Sequence, residues 1–529
     1  MAEHLISVAL VLVVAVLHQV WASRILAICP TSSISHQIVF RGLTMALRDR
    51  GHELVVVTTD PVDDPTLKNY TEISINFLYK DFIQRVDFVT NRKYETWFDV
   101  VANWAPAFKS QSDRILNVPE LRNLYAPDSG EEFDLLIVEA LYWPAFLPLA
   151  KRFDVPVIGL TSLGLTTNNH YAIGNPVFSS HSSHWDAGEA VLGELTLWQR
   201  LKNFVRMWRY LYWYRTDYMP ANQAIARKYF GNSVPDLRDL EKNISLIFVN
   251  QQAPISHVRP NTPKIIEIGG FHVSKQVKPL SKDLERILDN ATQGFIYMSL
   301  GSNVKSAMLS DEIRDEFIAT FSKLPYTVIW KFEDEFLPGR PDNVIIMKWT
   351  PQQSILAHPN IKAFIYQGGL QSTEEAISHG VPVIGLPVMS DQDTIIDKIS
   401  SLGVGKKLEI LDFNSEDLLD AIHSVVQDGS YKQRMLKLRD LVRDKPYDLM
   451  ENAVWWTEHV IRHKGAPHLH STTADDPWYQ RQDMDLIFII STAILIAFSM
   501  TLVLLHKLMV RSIFVVQYRL PGSKKDKLD

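Results

Sequence analysis

Two constellations in this chain carry side chains able to do chemistry. The first is His36, which follows an apolar strand opening at Arg24, together with Glu139, which follows a second strand, Asp134–Val138. An imidazole can take a proton from a hydroxyl near neutral pH, and a carboxylate behind it holds the tautomer and stabilises the imidazolium. Strand ends of one sheet can converge, so the two residues form a candidate base with its orienting acid. The second constellation is the stretch WTPQQSILAHPNIKAFIYQGGLQSTEEAISHGVPVIGLPVMSDQ from Trp349 to Gln392. Within it, Ile361–Ile365 is a short apolar run of the kind that makes a buried parallel strand, ended by Gly368 and Gly369. A helix is predicted next. Ser372 and Thr373 suit its cap or first turn, Glu374 and Glu375 suit its positive end, and Gly380 closes it before Pro382. The following strand, Val383–Pro387, delivers Asp391 and Gln392 just past its end. Strands that release polar groups at their carboxyl ends, beside a helix N-terminus, make the usual nucleotide crevice of an open α/β sheet. Asp391 and Asp393 also admit a second reading, as paired carboxylates for a hard cation.

The elements around these residues alternate strand and helix. Arg24–Pro30 is a strand, 32–36 a loop, Ile38–Arg50 a helix ended by Gly51, and Glu53–Thr59 the next strand. Val155–Leu160 continues the pattern, and Phe295–Leu300 starts it afresh, with strands at Thr327–Trp330, Val344–Met347, Ile361 and Val383. Two doubly wound halves are predicted, 23–250 and 291–485, the second with closing helices and the two joined by a linker over 251–290. The aromatic segment Trp198–Tyr214 places Phe204, Trp208 and Leu211 on one helical face, which suits an apolar acceptor pocket, a membrane-dipping surface or plain core packing.

The spacing of Trp349, Gln352, the Gly368-Gly369 pair, Glu375 and Asp391-Gln392 resembles, without gaps, the signature of the membrane-bound animal UDP-glycosyltransferases, most nearly the insect UDP-glucosyltransferases. The resemblance implies the GT-B fold, two Rossmann-like domains facing across a cleft. It implies that Trp349 stacks on uracil, that Gln352 lies beside base and ribose, and that Glu375 accepts from the ribose hydroxyls. Ser372, Thr373 and the backbone around Gly368 and Gly369 would hold the pyrophosphate, with Gly301 and Ser302 adding contacts, Asp391 and Gln392 would hold the sugar, and Gln367 and Gln371 would belong to the same UDP-sugar site. The chain departs from the family at Gln367, where many members have His, at Gln371, where Asn is usual, and at Glu139, where Asp is common. By the same resemblance His36 is the catalytic base, acting from the face opposite UDP and so inverting the anomeric carbon. Glucuronosyl members tend to carry an Arg in the segment matching Leu246–Val249; none occurs here, which favours glucose as the sugar. The UDP-sugar is a co-substrate, and neither cofactor nor metal is expected.

With 529 residues, 46% hydrophobic and 22% charged, the chain has room for two domains. Its net charge of −6 argues against nucleic acid as a partner, while a homo-oligomer is compatible with the composition. Its single cysteine, Cys29, excludes an intrachain disulfide and, with it, the usual build of a luminal adhesion or receptor protein. Residues 1–22 read as a signal peptide, with an uncleaved anchor as the weaker reading. Leu486–Leu505 is twenty residues without a charge, long enough to cross a bilayer, and the basic flank lies on its C-terminal side over 506–529. The ending Lys525-Asp526-Lys527-Leu528-Asp529 resembles a dilysine retrieval signal. These features predict a single-pass type I protein of the endoplasmic reticulum membrane with a luminal body, in which Asn69, Asn243 and Asn290 are glycosylation acceptors.

The function expected is transfer of a hexose from a UDP-sugar to a hydroxyl of a small lipophilic acceptor. The alternative is a nucleotide-sugar-binding membrane protein without catalysis, which would need neither His36 nor Glu139. For the topology, sealed microsomes treated with protease should lose only the short C-terminal tail, and at least one of Asn69, Asn243 and Asn290 should carry glycan. Digestion of the body from outside would overturn the orientation.

Overall fold

The computed structural model describes residues 22–80, 88–92, 97–178, 185–186, 194–274 and 276–519. Residues 1–21 of the segment read as a signal peptide, and the tail lysines Lys524, Lys525 and Lys527, lie outside them.

Two all-parallel sheets organise residues 22–471. The first joins β1 (Arg24–Cys29), β2 (Glu53–Thr58), β3 (Tyr70–Ser74), β4 (Leu135–Glu139), β5 (Val157–Thr161), β6 (Leu246–Val249) and β7 (Ile265–Glu267) in the order β3-β2-β1-β4-β5-β6-β7. The second joins β8 (Phe295–Ser299), β9 (Thr327–Lys331), β10 (Val344–Met347), β11 (Ile361–Tyr366), β12 (Val383–Gly385) and β13 (Gly405–Lys407) in the order β10-β9-β8-β11-β12-β13. In each, chain order reverses once, between β1 and β4 and between β8 and β11. That is where a doubly wound sheet opens a crevice at its carboxyl edge.

The strands are apolar on both faces because helices cover both faces. In β1, Leu26 and Ile28 point into one core layer, whereas Ile25, Ala27 and Cys29 point into the other, all with no exposed surface. Ile296 and Met298 against Phe295 and Tyr297 divide β8 in the same way. Burial pushes the Cys29 thiol well above its ordinary pKa, so it is a core side chain rather than a reactive one.

Three elements differ from the sequence reading. The first helix begins at Ile34, not Ile38, capped in sequence by Ser33, so His36 lies in its first turn and not on a loop. The segment read as a linker, 251–290, contains β7, an edge strand of the first sheet, and the helix Lys282–Asn290. The late helix Leu449–Arg462 packs on the first half, its Ala453, Val454 and Val460 buried with Val39, Phe40, Leu43 and Leu47 of the first helix. A chain that crosses back in this way links the two halves at both ends of the second one.

Residues 472–529 form a separate unit whose main element is the helix Met484–Arg519. It is one helix long and apolar enough to cross a membrane, and its uncharged centre, Leu486–Leu505, spans about 30 Å at 1.5 Å per residue. The helix runs on past Leu505 because Lys507 to Val515 contains neither Gly nor Pro. Asn69, Asn243 and Asn290 are all exposed, as a glycan requires.

Candidate active site

The reversal between β1 and β4 makes the ends of these strands neighbours, with Ile28 paired to Val138. Glu139 ends β4 and is buried. Its Oε1 lies 2.6 Å from His36 Nδ1, and its Oε2 accepts from the Thr31 amide at 3.1 Å and the Thr31 hydroxyl at 2.7 Å. Trp143 in turn donates to Thr31 Oγ1 at 3.1 Å. A carboxylate only accepts, so Nδ1 carries the proton and Nε2 is left as the basic nitrogen. The longer arm of Glu, compared with Asp, is accommodated by these Thr31 contacts.

His36 lines two cavities. The larger, about 550 Å³, is lined by polar and apolar side chains together and runs between the halves, from Trp349, Gln352 and Glu375 to Gly301, Ser302, Asp391 and Gln392. Trp349 is 60% exposed on its wall, leaving an indole free to stack. Glu375 is clamped, since Gln352 Nε2 donates to Oε2 at 2.7 Å and Gln353 Nε2 to Oε1 at 3.0 Å. Gln392 Oε1 accepts from the Val388 and Met389 amides at 2.8 and 2.9 Å, which turns its NH2 group into the available donor. Ser390, in between, holds φ of 61°, a left-handed conformation costly for a residue with a Cβ. At Gly301, φ is 79° and an added Cβ would come within 2.4 Å of Gln367 Nε2, so only glycine lets that amide lie flat on the turn after β8.

Not every predicted contact residue reaches this cavity. Thr373 is buried behind the wall, its hydroxyl 3.0 Å from the Gly369 carbonyl and 2.9 Å from the Tyr366 hydroxyl. Gly368 serves the turn: its φ is 90° and a Cβ there would meet Ile396 at 2.6 Å. Gln371 does line the cavity, yet its NH2 donates across the cleft to the Ser162 carbonyl at 2.8 Å, tying the halves together. Residues not singled out from sequence also line it, among them Gln353, Asn303, Thr350 and Lys331. Lys331 ends β9 and hydrogen-bonds the Gly301 carbonyl at 3.0 Å and Glu333 at 2.7 Å. Its place at a carboxyl strand end was the available signal.

The smaller cavity, about 80 Å³, lies on the other side of His36 and is walled by Phe88, Trp104, Phe108, Tyr142, Trp143 and Trp185. These aromatics come from separated segments and show no periodic pattern. Phe204, Trp208 and Leu211, the aromatic-helix face read from sequence, line neither cavity; Tyr210 and Tyr214 of that helix region are core, while Trp198, Leu201, Phe204 and Tyr212 are exposed.

Two parallel doubly wound sheets, each with its switch point on one cleft, are the GT-B architecture. Solved structures share this fold, including the calicheamicin glycosyltransferase CalG4, with TM-score 0.52 and 16% identity over 84% of this chain and 99% of that one. Residues 24–517 match the family model described as "UDP-glucoronosyl and UDP-glucosyl transferase", and the chain belongs to that family. UDP-glycosyltransferase UGT5 of Dactylopius coccus is 33% identical over 485 residues, covering 90% of this chain and 91% of the relative. An ecdysteroid UDP-glucosyltransferase of Spodoptera littoralis nuclear polyhedrosis virus is 33% identical over 506 residues, covering 91% and 96%. The protein is thus an enzyme that transfers a sugar from a UDP-sugar.

Burial sets the electrostatics of the donor side. Asp391, at the start of the helix Gln392–Ser401, is pushed up to about 7 by desolvation, opposed by its own backbone N–H and by the nearby His36. Glu374 is pushed up to about 8 by desolvation, although Gln252 donates to it at 3.0 Å. Next to it, His272 is pushed down to about 4 by burial, with Nδ1 at 3.5 Å from Glu374 and Nε2 at 3.8 Å from Glu375. The His272–Glu374 pair is therefore neutral near pH 7. A carboxyl whose folded pKa exceeds its unfolded value stabilises the fold at low pH, and that stability is lost as pH rises through the folded value. Glu374→Gln copies the protonated acid. Its melting temperature should equal wild type near pH 4, where the carboxyl is protonated folded and unfolded alike, and exceed it by a growing margin as pH rises to about 8; a difference that stays constant from pH 4 to about pH 8 would show that the Glu374 pKa is not raised by folding.

Proposed function

We propose that the enzyme transfers glucose from UDP-glucose to a hydroxyl of a small lipophilic acceptor, with inversion, and that His36 is the general base. The observation that carries this reading is the position of His36, joined to Glu139 at 2.6 Å, on the wall shared by the large cavity between the halves and the small aromatic one. An acceptor seated among Trp104, Phe108 and Trp143 presents its hydroxyl to His36 Nε2. As Nε2 takes the proton, the acceptor oxygen attacks the anomeric carbon, and the bond to the β-phosphate oxygen breaks with its electron pair going to UDP. Glu139 then balances the imidazolium.

On the opposite side, uracil lies on Trp349, Glu375 accepts from the ribose, and the amides after β8 and β11 face the diphosphate, with Ser302, Gly369 and Ser372 nearby. Gln367 contributes neutral amide donors where an imidazolium is usual, so Lys331 and Lys278 supply the cationic charge on this cavity. Asp391 and Gln392 hold the sugar hydroxyls. The segment Leu246–Val249 carries no basic residue, which argues for a neutral hexose, because a uronate carboxylate left unpaired in the cleft carries a desolvation penalty. The names of the relatives, UDP-glucosyltransferases that include ecdysteroid enzymes, agree with glucose and with a lipophilic alcohol. The membrane-spanning helix and its basic flank support a luminal body in the endoplasmic reticulum.

With purified enzyme and a phenol or steroid acceptor, His36→Ala should lower kcat by ~10²–10⁴-fold while UDP affinity barely changes. Glu139→Gln should lose less, and Glu375→Ala should weaken UDP itself. Near-normal turnover in His36→Ala would remove the base from this mechanism, and UDP-sugar binding without transfer to any acceptor would favour the non-catalytic binder. In the same assay UDP-glucose should turn over faster than UDP-glucuronic acid, and the reverse order would refute the donor assignment.

A further inference from the structure

One short segment of the first half belongs, by its packing, to the second. Phe88 and Val89 are each 7% exposed and sit in the hydrophobic core of the second sheet, with Ile296, Val388, Ile410 and Phe413. Phe88 meets Trp104 edge-on, with ring centroids 5.6 Å apart, and both rings wall the aromatic cavity beside His36. Three residues past Val89, Arg92 grips the second half through its whole guanidinium. Nη1 and Nη2 reach the two oxygens of Asp393 at 2.7 and 3.0 Å. Nε and Nη2 reach those of Glu409 at 2.6 and 2.7 Å. Lys407 holds Asp393 from the far side at 2.9 Å and Asp397 at 3.0 Å. The Arg92 side chain is 15% exposed, well below its carboxylate partners.

What Asp393 is attached to gives these contacts a role. It is the second residue of the helix Gln392–Ser401, immediately after Gln392 and two residues beyond Asp391. The turn before that helix, Met389 and Ser390, lines both cavities and includes the left-handed Ser390. A planar fork bonded to two carboxylates in two directions fixes a helix end more tightly than a point charge does.

We propose that Arg92 is a positioning residue for sugar transfer: it anchors the start of the Gln392 helix to the acceptor-side segment Phe88–Asn91, so that sugar and acceptor are held in register across His36. This rests on Asp391 and Gln392 being the sugar-binding residues. A displacement of the order of 1 Å between reacting groups costs rate rather than nucleotide affinity. Uridine and diphosphate contact other loops, so they do not depend on Arg92.

The test uses full-length enzyme in detergent. Arg92→Ala should lower kcat ~10-fold and raise the KM of the UDP-sugar, while Kd for UDP alone and the melting temperature stay near wild type. Arg92→Lys should recover only part of the loss, because one ammonium cannot bond both oxygens of both carboxylates. Asp393→Asn should lose rate in the same direction, and the double variant should lose less than the sum of the two single ones, since both break the Arg92–Asp393 contact while Arg92 alone also holds Glu409. The proposal is overturned by turnover within about twofold of wild type in Arg92→Ala, by losses that add fully in the double variant, or by an equal loss of UDP binding. Asp391→Asn is the control on the underlying assignment: if the KM of the UDP-sugar is unchanged there, the sugar-site reading fails, whatever Arg92 does.

Discussion

In both sheets the strand order reverses once, and the His36–Glu139 pair and the turns at Gly301 and Gln367–Gly369 hang from these two reversals, with Trp349, Gln352, Asp391 and Gln392 added from the segments after β10 and β12. Where neighbouring parallel strands send their connections to opposite faces, their carboxyl ends are left uncovered and the polar backbone there faces a crevice. His36 follows β1 and Glu139 ends β4, the two strands of the first reversal. Gly301 follows β8, and Gln367 to Gly369 follow β11, the two strands of the second. Facing the two uncovered edges across one cleft brings His36, Gly301, Gln367 and Gly369 to the wall of one cavity. Neither half has the chemistry alone.

Much of the site is built before any ligand arrives. Glu375 is aimed by two glutamine amides, Gln392 is turned by two backbone N–H groups, and Glu139 is held by Thr31 as well as by His36. Buried polar groups of this kind are costly unless paired, so their pairing fixes their direction. Preorganisation lowers the entropy to be lost when substrate binds.

Contacts between the halves concentrate near the cleft rather than along its length. Gln371 bonds the Ser162 carbonyl, Ser33 donates to Asn303 at 3.1 Å, and Arg92 bonds Asp393 and Glu409. Together with the late helix that returns to the first sheet, they tie the two halves to each other.

Local pattern alone was enough to reveal the apolar strands, the Gly368-Gly369 turn, the membrane-length helix and the polar residues at strand ends, because burial on both faces and positive φ leave marks on consecutive residues. The gapless spacing from Trp349 to Gln392 was legible for the same reason, since it occupies one continuous stretch. Only tertiary structure decided that β1 lies beside β4, some hundred positions away in the chain, and so made a hydrogen-bonded pair of His36 and Glu139. It also decided that Thr373 turns inward, that Gln371 spans the cleft, and that the aromatic cavity is assembled from Phe88, Trp104, Phe108 and Trp143 rather than from the aromatic helix. Side-chain direction within a turn, and contact between distant segments, depend on how layers pack against one another, and packing leaves no periodic trace along a single sequence.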